Sequence, residues 1–388
     1  MKNNLFCAEA SSPNSNLLHK ILKYRSLKIL VLTFLSLSTA ISSAQVYNIT
    51  DLSTLGGFFS QATGVNDLGQ VVGYSDIADH SAVHAFVWTR THGIVDIHPS
   101  GMSQSMGLAI NDLGQVAGVA ISTGDRPTIH AFVWSHKGVV DLGTLGGASS
   151  QAFGINDFGQ TVGQSDTSNG TSNAFLSKNR AQMRDLGTLG GDSSIALALN
   201  NFGQVVGGSL TGEAFHAFLW TKSNGMQDLG VLGGCESIAA GVNNFGQVVG
   251  GSGTTCDGSI RHAFLWTKRD GMRDLGTPVG TSFGGPGAIN LFGQIVGAAC
   301  PEVCLSQESV HAFIWTKRTE WLDLNDLIAS GSGWVLENTQ AINAWGQIAG
   351  RGLIGGEYHA FLLTPNTLHE GTDDLHFKAR RKKSLRRP

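Results

Sequence analysis

The chain has 388 residues, with 26 Lys/Arg against 29 Asp/Glu, 52 Gly, 5 Cys and a formal net charge of −3. The glycine content fits tight turns and close backbone approach. The charge is unevenly spread: residues 1–44 hold 5 of the basic residues and those after Pro365 hold 7, which leaves a body with 14 basic and 25 acidic residues, a sign that excludes nucleic-acid binding by the body.

The N-terminal segment reads as an export signal. Lys20, Lys23, Arg25 and Lys28 precede the apolar run from Ile29 to Leu37, and Ser42-Ser43-Ala44 offers the small-residue cleavage pattern, so the mature chain is expected to start at Gln45. The apolar run is too short, and too broken by Thr33 and Ser36, for a transmembrane helix. No transmembrane segment is expected in the mature chain, which is placed outside the cell, at its surface or in the periplasm.

From Asp51 to Phe361 a unit of about 45 residues recurs seven times. The Asp of an Asp-Leu element (Asp-Ile at 96) falls at 51, 96, 141, 185, 228, 274 and 323; the Gln of a Gly-Gln pair at 70, 115, 160, 204, 247, 294 and 347; and an Ala-Phe pair begins at 85, 131, 174, 217, 263, 312 and 360. Four short elements per unit read as strands: a (Ala-x-Gly-Ile-Asn), b (Gln-Val-Val-Gly), c (His-Ala-Phe-x-Trp) and d (Met-x-Asp-Leu-Gly). All are short, rich in β-branched and aromatic residues, and without helical period. Asn-Asp-x-Gly-Gln between a and b has the chemistry of a tight hairpin turn. The Gly-Thr-Leu-Gly-Gly connection is looser and marks the boundary between units. The predicted fold is all-β: a seven-bladed β-propeller of four-stranded antiparallel blades over residues 45–365. The first Asp-Leu strand, from Ile49, has no unit of its own and the last unit stops at strand c, so the N-terminal strand is expected to complete the last blade and close the ring.

The His-Ala-Phe-x-Trp, Gly-Gln-Val-Val-Gly and Asp-Leu-Gly-Thr-Leu-Gly-Gly elements, with a close at Ser332-Gly333-Trp334 and His359-Ala360-Phe361-Leu362-Leu363-Thr364-Pro365, resemble the HAF family of bacterial extracellular repeat proteins. The strand order is also similar to a kelch repeat, although the Gly doublet holds only at Gly207-Gly208 and Gly250-Gly251. Asn173, Ser177 and Leu363 depart from the pattern. The resemblance implies an exported repeat protein and supplies no catalytic residue.

Residues that recur in every unit are first of all parts of the unit. His84, His130, His216, His262, His311 and His359 invite a metal reading, but equivalent positions around a ring lie too far apart for bonds of about 2 Å, and a hydrogen bond at the strand end accounts for them. Asn-Asp-x-Gly-Gln loses its Asp to Asn201, Asn244, Leu291 and Ala344 while the Gly persists, a pattern of turn geometry and not of calcium ligation. The Asp-Leu carboxylates could pair as a glycosidase acid and base, but their recurrence in every unit points to capping or turn bonds. No catalytic residue, cofactor or metal is assigned. With Cys7 removed in the leader, four cysteines remain; the loop positions favour Cys235–Cys256 and Cys300–Cys304, with zinc as the alternative reading.

The b-to-c loops differ from copy to copy, and a rigid ring with divergent loops on one face suits recognition. Asp76, Asp79, His80, Asp125, Arg126 and Glu302 are the candidate binding residues. The leading expectation is a secreted, monomeric scaffold that binds an extracellular protein or glycan. A glycosidase or lyase on the same fold, or a structural matrix component, is the alternative. The segment 366–388, with seven basic residues in 378–387, is expected to be a solvated tail; weak contact with an anionic surface and a nuclear signal are the other readings.

Overall fold

Each Asn-x-x-Gly-Gln stretch closes on itself and so joins two strands. In the first copy the Asn66 side-chain oxygen accepts the N–H groups of Leu68 and Gln70 at 3.1 and 2.9 Å, and the Asn66 carbonyl accepts from Gly69 at 3.0 Å. Gly69 sits at φ +74°, where a Cβ is disfavoured, and the glycines of the other six turns lie between +67° and +76°. The computed structural model describes residues 46–124, 127–178, 182–212, 214–279, 281, 283–300 and 310–366. These belong to the second of two compact units, Gln45–Pro388. The leader with its cleavage site at Ala44, the basic segment 367–388, Asp125, Arg126, Glu302 and Cys304 lie outside the described residues.

Strands a to d of the first copy are Gly56–Val65, Val71–Ile77, Val83–Thr89 and Gly93–Asp96, and they pair in that order as an antiparallel meander. The same meander recurs across 102–141, 146–185, 194–228, 237–276 and 283–323. The last copy supplies three strands, Trp334–Ile342, Ile348–Ile354 and Glu357–Pro365. Its fourth is the N-terminal strand Tyr47–Asp51, antiparallel to Glu357–Pro365 with Tyr47 opposite Pro365 and Asp51 opposite Phe361. The fold is therefore all-β, in repeated four-stranded antiparallel sheets, with no α-helix among the described residues. The long spacing before the last copy is partly taken up by a 3-10 turn, Leu324–Leu327, capped by Asp323.

Two details go beyond the repeat pattern. The connection expected to be loose is ordered: in the first copy Thr54 Oγ1 donates to the Gly57 carbonyl, and Leu55 N–H donates to Ser75. Strand b also needs its glycine. A Cβ on Gly207 would lie 1.9 Å from the Ile195 carbonyl oxygen, where strand a bulges between Ala196 and Ala198. The core forms between consecutive sheets. Val206, Ala217 and Leu219 of one copy pack with Ala239, Val248 and Phe264 of the next. The same positions of the last copy (Ala349, Ala360, Leu362) pack with Ala62, Val71 and Phe86 of the first. Phe86, Phe175, Phe218, Phe264 and Phe361 of strand c are fully buried, each contributing about 2 kcal/mol.

The N-terminal strand is thus a structural part of the last sheet. Deleting residues 46–51 leaves Glu357–Pro365 with an open edge and is expected to lower the melting temperature. A synthetic peptide of residues 46–52 added in trans should restore part of the loss, and an unchanged melting curve would contradict the pairing.

Candidate functional site

The recurring polar groups satisfy one another. Nδ1 of His84, His130, His216, His262, His311 and His359 lies 2.6–3.0 Å from the carboxylate of Asp96, Asp141, Asp228, Asp274, Asp323 and Asp51 respectively. In the third copy Asn173 donates to Asp185 at 2.9 Å in the same place. The carboxylate then accepts the N–H two residues on, as from Gly230 to Asp228 at 2.8 Å. A buried serine of strand a links copies, accepting the Ala217 N–H at Ser237 Oγ and donating from it to the Gly230 carbonyl. The strand-end hydrogen bond inferred for the histidines and the turn bond inferred for the Asp-Leu carboxylates are what the structure shows.

The asparagines form a longer relay. Each Nδ2 donates to the Gln four residues on and to the Asn carbonyl of the next copy: Asn66 to Asn111, then to Asn156, Asn200, Asn243, Asn290 and Asn343, at 2.9–3.1 Å. Asn343 donates in turn to the carbonyl of Asn66 at 2.9 Å. All seven are buried. Around them lies a cavity of about 240 Å³ lined by three residues from every copy, with a second of about 230 Å³ lined by the preceding strand-a residues. One arc of the first is acidic: Asp112 Oδ1 accepts Asp67 N–H, Asp157 Oδ1 accepts Asp112 N–H, and Asp67 Oδ1 accepts Ala344 N–H, all at 2.8–2.9 Å. Burial, reinforced by Asp67 and Asp157, pushes the Asp112 carboxyl above the ordinary carboxylate range. One position further out, Leu68, Leu113, Phe158, Phe202, Phe245, Phe292 and Trp345 are each 44–76% exposed, an apolar crown with one residue per turn.

Residues that break the repeat gather at the opposite strand ends, where the last and first copies meet. Phe59 lies 5.9 Å from Tyr74 and 6.4 Å from Tyr358 between ring centroids, and the Arg351 guanidinium sits over Tyr358 at 4.8 Å and over Phe59 at 5.7 Å. Arg351 pairs at 3.3 Å with Glu337, whose carboxyl burial pushes upward against the pull of that arginine. Glu337 stands where strand a of five other copies has its buried serine and the remaining copy has Gly284. Arg351 Nε is buried without a hydrogen-bond partner among the described residues. On the other side of the same strand, the exposed Phe58 stacks on His80 at 4.4 Å, and His80 lies 3.7 Å from Asp76.

Of the loop residues singled out from sequence, the structure therefore brings Asp76 and His80 together. Asp79 instead accepts from Ser81 N–H and Oγ, which holds its carboxyl below the usual range. Cys235 and Cys256 form a disulfide, joining a d-to-a loop to the following b-to-c loop. Cys300 is disulfide-bonded as well; its expected partner, Cys304, lies outside the described residues. Sequence reasoning missed Phe58, Phe59, Tyr74, Tyr358 and Arg351. The available signal was that Tyr and Arg stand at these positions where most other copies carry small or aliphatic residues. The crown was missed too, although the third position of every turn is Leu, Phe or Trp.

No protein-family model matches the chain, and no curated protein matches it in sequence. Among solved structures it is similar to TolB from Acinetobacter baumannii at 13% identity and TM-score 0.42, covering 78% of this chain and 65% of that one. It is similar to the β-propeller domain of the Trilobed protease from Pyrococcus furiosus at 8% identity and TM-score 0.47, covering 81% and 99%. A third likeness is the BP39L lectin from Burkholderia pseudomallei, at 11% identity and TM-score 0.41, covering 81% and 98%. The chain thus spans just under two thirds of TolB, and these identities are too low to bear on activity.

Two substitutions check the assignments. His216→Asn should keep the bond to Asp228, as Asn173 does, whereas His216→Ala should cost about 1 kcal/mol in urea denaturation; equal losses would count against the pairing. For Asp112, whose carboxyl is raised, the neutral form is the one the fold favours. Its stabilising contribution is present below the ordinary carboxylate range and is lost as pH rises through the folded-state value. Asp112→Asn should therefore raise the melting temperature at pH 7 and flatten its rise on acidification between pH 6 and pH 4.

Proposed function

We propose that the mature chain is a secreted seven-bladed β-propeller, closed by its N-terminal strand, that binds an extracellular glycan on its loop face. The relay from Asn343 back to Asn66, the pairing of Tyr47–Asp51 with Glu357–Pro365 and the packing of the last copy on the first support the ring. The disulfide between Cys235 and Cys256 fits an oxidising compartment, and the expected leader and the HAF-like repeats fit export. Among the described residues no helix is long and apolar enough to cross a membrane.

The observation that carries the binding reading is the seam between the last and first copies. There an exposed aromatic face, Phe58 with His80, and an arginine held between Tyr358 and Phe59 stand beside Asp76 and Glu337. Aromatic faces take the apolar faces of sugar rings, and neighbouring carboxylates and guanidinium groups take their hydroxyls. Every other recurring His, Asp, Ser and Asn is engaged inside the scaffold, which leaves the unrepeated residues for recognition.

A glycan array and a surface pull-down with residues 45–388 test this, with a generic hydrolase screen alongside. Saturable binding to a subset of glycans is expected, weakened at least about tenfold by Phe58→Ala, the loss expected for one stacking aromatic, with no change in melting temperature. Binding indifferent to Phe58→Ala and Arg351→Met would move the site elsewhere, and turnover surviving rigorous purification would replace binding with catalysis.

A further inference from the structure

The face opposite the seam combines two features that the glycan reading does not use. One is the apolar crown, whose seven residues share a level because the Asn relay ties each turn to the next. The other is charge. Turns between strands c and d lie at the same strand ends as those between a and b, since Trp88 at the end of c is opposite Val71 at the start of b. Each of these copies carries an exposed cation in that turn or, for Lys178, at the end of strand c before it: Arg90, Lys137, Lys178, Lys222, Lys268 and Lys317. A cavity of about 570 Å³ is lined by both sets, Phe292 and Gly293 together with Arg269, Arg273 and Lys317, and by Asp270, which pairs with Arg269.

The loop face has the opposite sign, with Asp76, Asp79, Asp166, Asp192, Glu236 and Asp257 in its loops and strand ends. The seventh copy ends on the turn side, where Pro365 packs beside Gly346 and Thr364 accepts from Gln347. The sequence beyond it carries seven more basic residues between 378 and 387.

We propose that the turn face docks on a bilayer rich in anionic lipid, the crown entering the headgroup region and the surrounding Lys and Arg pairing with lipid phosphates. Exposed Phe, Leu and Trp held at one level by a rigid ring lose little conformational freedom on insertion, and polar-tipped basic side chains outside them suit the interface. The acidic loop face would be repelled by the same surface, so charge alone orients the ring with its loops outward. A second copy is a poorer occupant, because crown-to-crown contact would bring two basic rims together. The three carboxylates at the axis sit inside the mouth and accept backbone N–H groups.

Co-sedimentation of residues 45–388 with vesicles of phosphatidylglycerol and phosphatidylcholine, against phosphatidylcholine alone, tests the proposal. Binding should require phosphatidylglycerol and weaken as salt is raised. Phe202→Ser with Phe245→Ser should reduce it at least tenfold. Lys222→Glu should reduce it by about fivefold or more, the loss expected for one basic residue at such a surface. All three positions are exposed, and unchanged circular dichroism and melting temperature would show the fold intact. Equal binding to neutral vesicles, or crown variants that bind as the wild type does, would overturn the proposal. So would a chain ending at Pro365 that no longer binds while the crown variants still do, since the tail would then be the anchor. Crown variants that only dissolve a dimer seen by sedimentation would assign the crown to a second copy. None of these outcomes bears on the glycan array, so the two readings fail separately.

Discussion

The fold depends on one side chain used three ways. The Asn of each turn accepts two backbone N–H groups within its own turn and donates to its own Gln and to the Asn carbonyl of the next copy. Aspartate in that place would lack the donor, and glutamine would be too long to keep the acceptor over its own turn. The relay fixes the spacing of the inner strands, so the next residues outward inherit one level and one orientation. The strands behind them fan out, and the Val and Phe of b and c fill the widening gaps between sheets.

Repetition of this kind divides the residues by role. A side chain that recurs must answer a need that recurs, and those needs are the c-to-d pair, the serine link between copies and the turn. Function then has to be sought where the pattern breaks. The seam is such a break: Glu337 replaces the linking serine, Arg351 and Tyr74 occupy a strand position that is Gly or aliphatic in four of the other five copies, and Phe59 meets Tyr358 from the far end of the chain. The last copy meets the first through the N-terminal strand, so this junction differs from those between consecutive copies.

Much of the scaffold was legible because its signals are local. The four strands, their order, the turn glycines and a strand-end hydrogen bond for the histidines follow from spacing, residue type and turn chemistry within one copy, and the count of strands in the last copy places the N-terminal strand; that the partner of His216 is Asp228 was not read. What lies between copies was not legible in the same way. The Asn relay spans 43 to 53 residues at each step and 277 at its return, and a single copy gives no reason to look for it. Phe58 and Phe59 read as ordinary strand residues until the last copy is laid beside the first. The crown was lost for a different reason: the position between Asp and Gly varies among Leu, Phe and Trp, and scanning for identity hides a property that is constant.

The axial mouth shows how far structure alone accounts for a residue. Asn201 and Asn244 take the same place in the turn as Asp67, Asp112 and Asp157, and they accept the neighbouring N–H equally well, from Asp157 at 3.1 Å and Asn201 at 3.0 Å. The turn therefore needs an oxygen there and has no need of a charge. Three adjacent carboxylates repel one another, and burial raises the middle one, so the charge works against the fold. An amide would do the structural work without that cost, so turn geometry accounts for the oxygen at this position and leaves the charge of the three carboxylates unexplained.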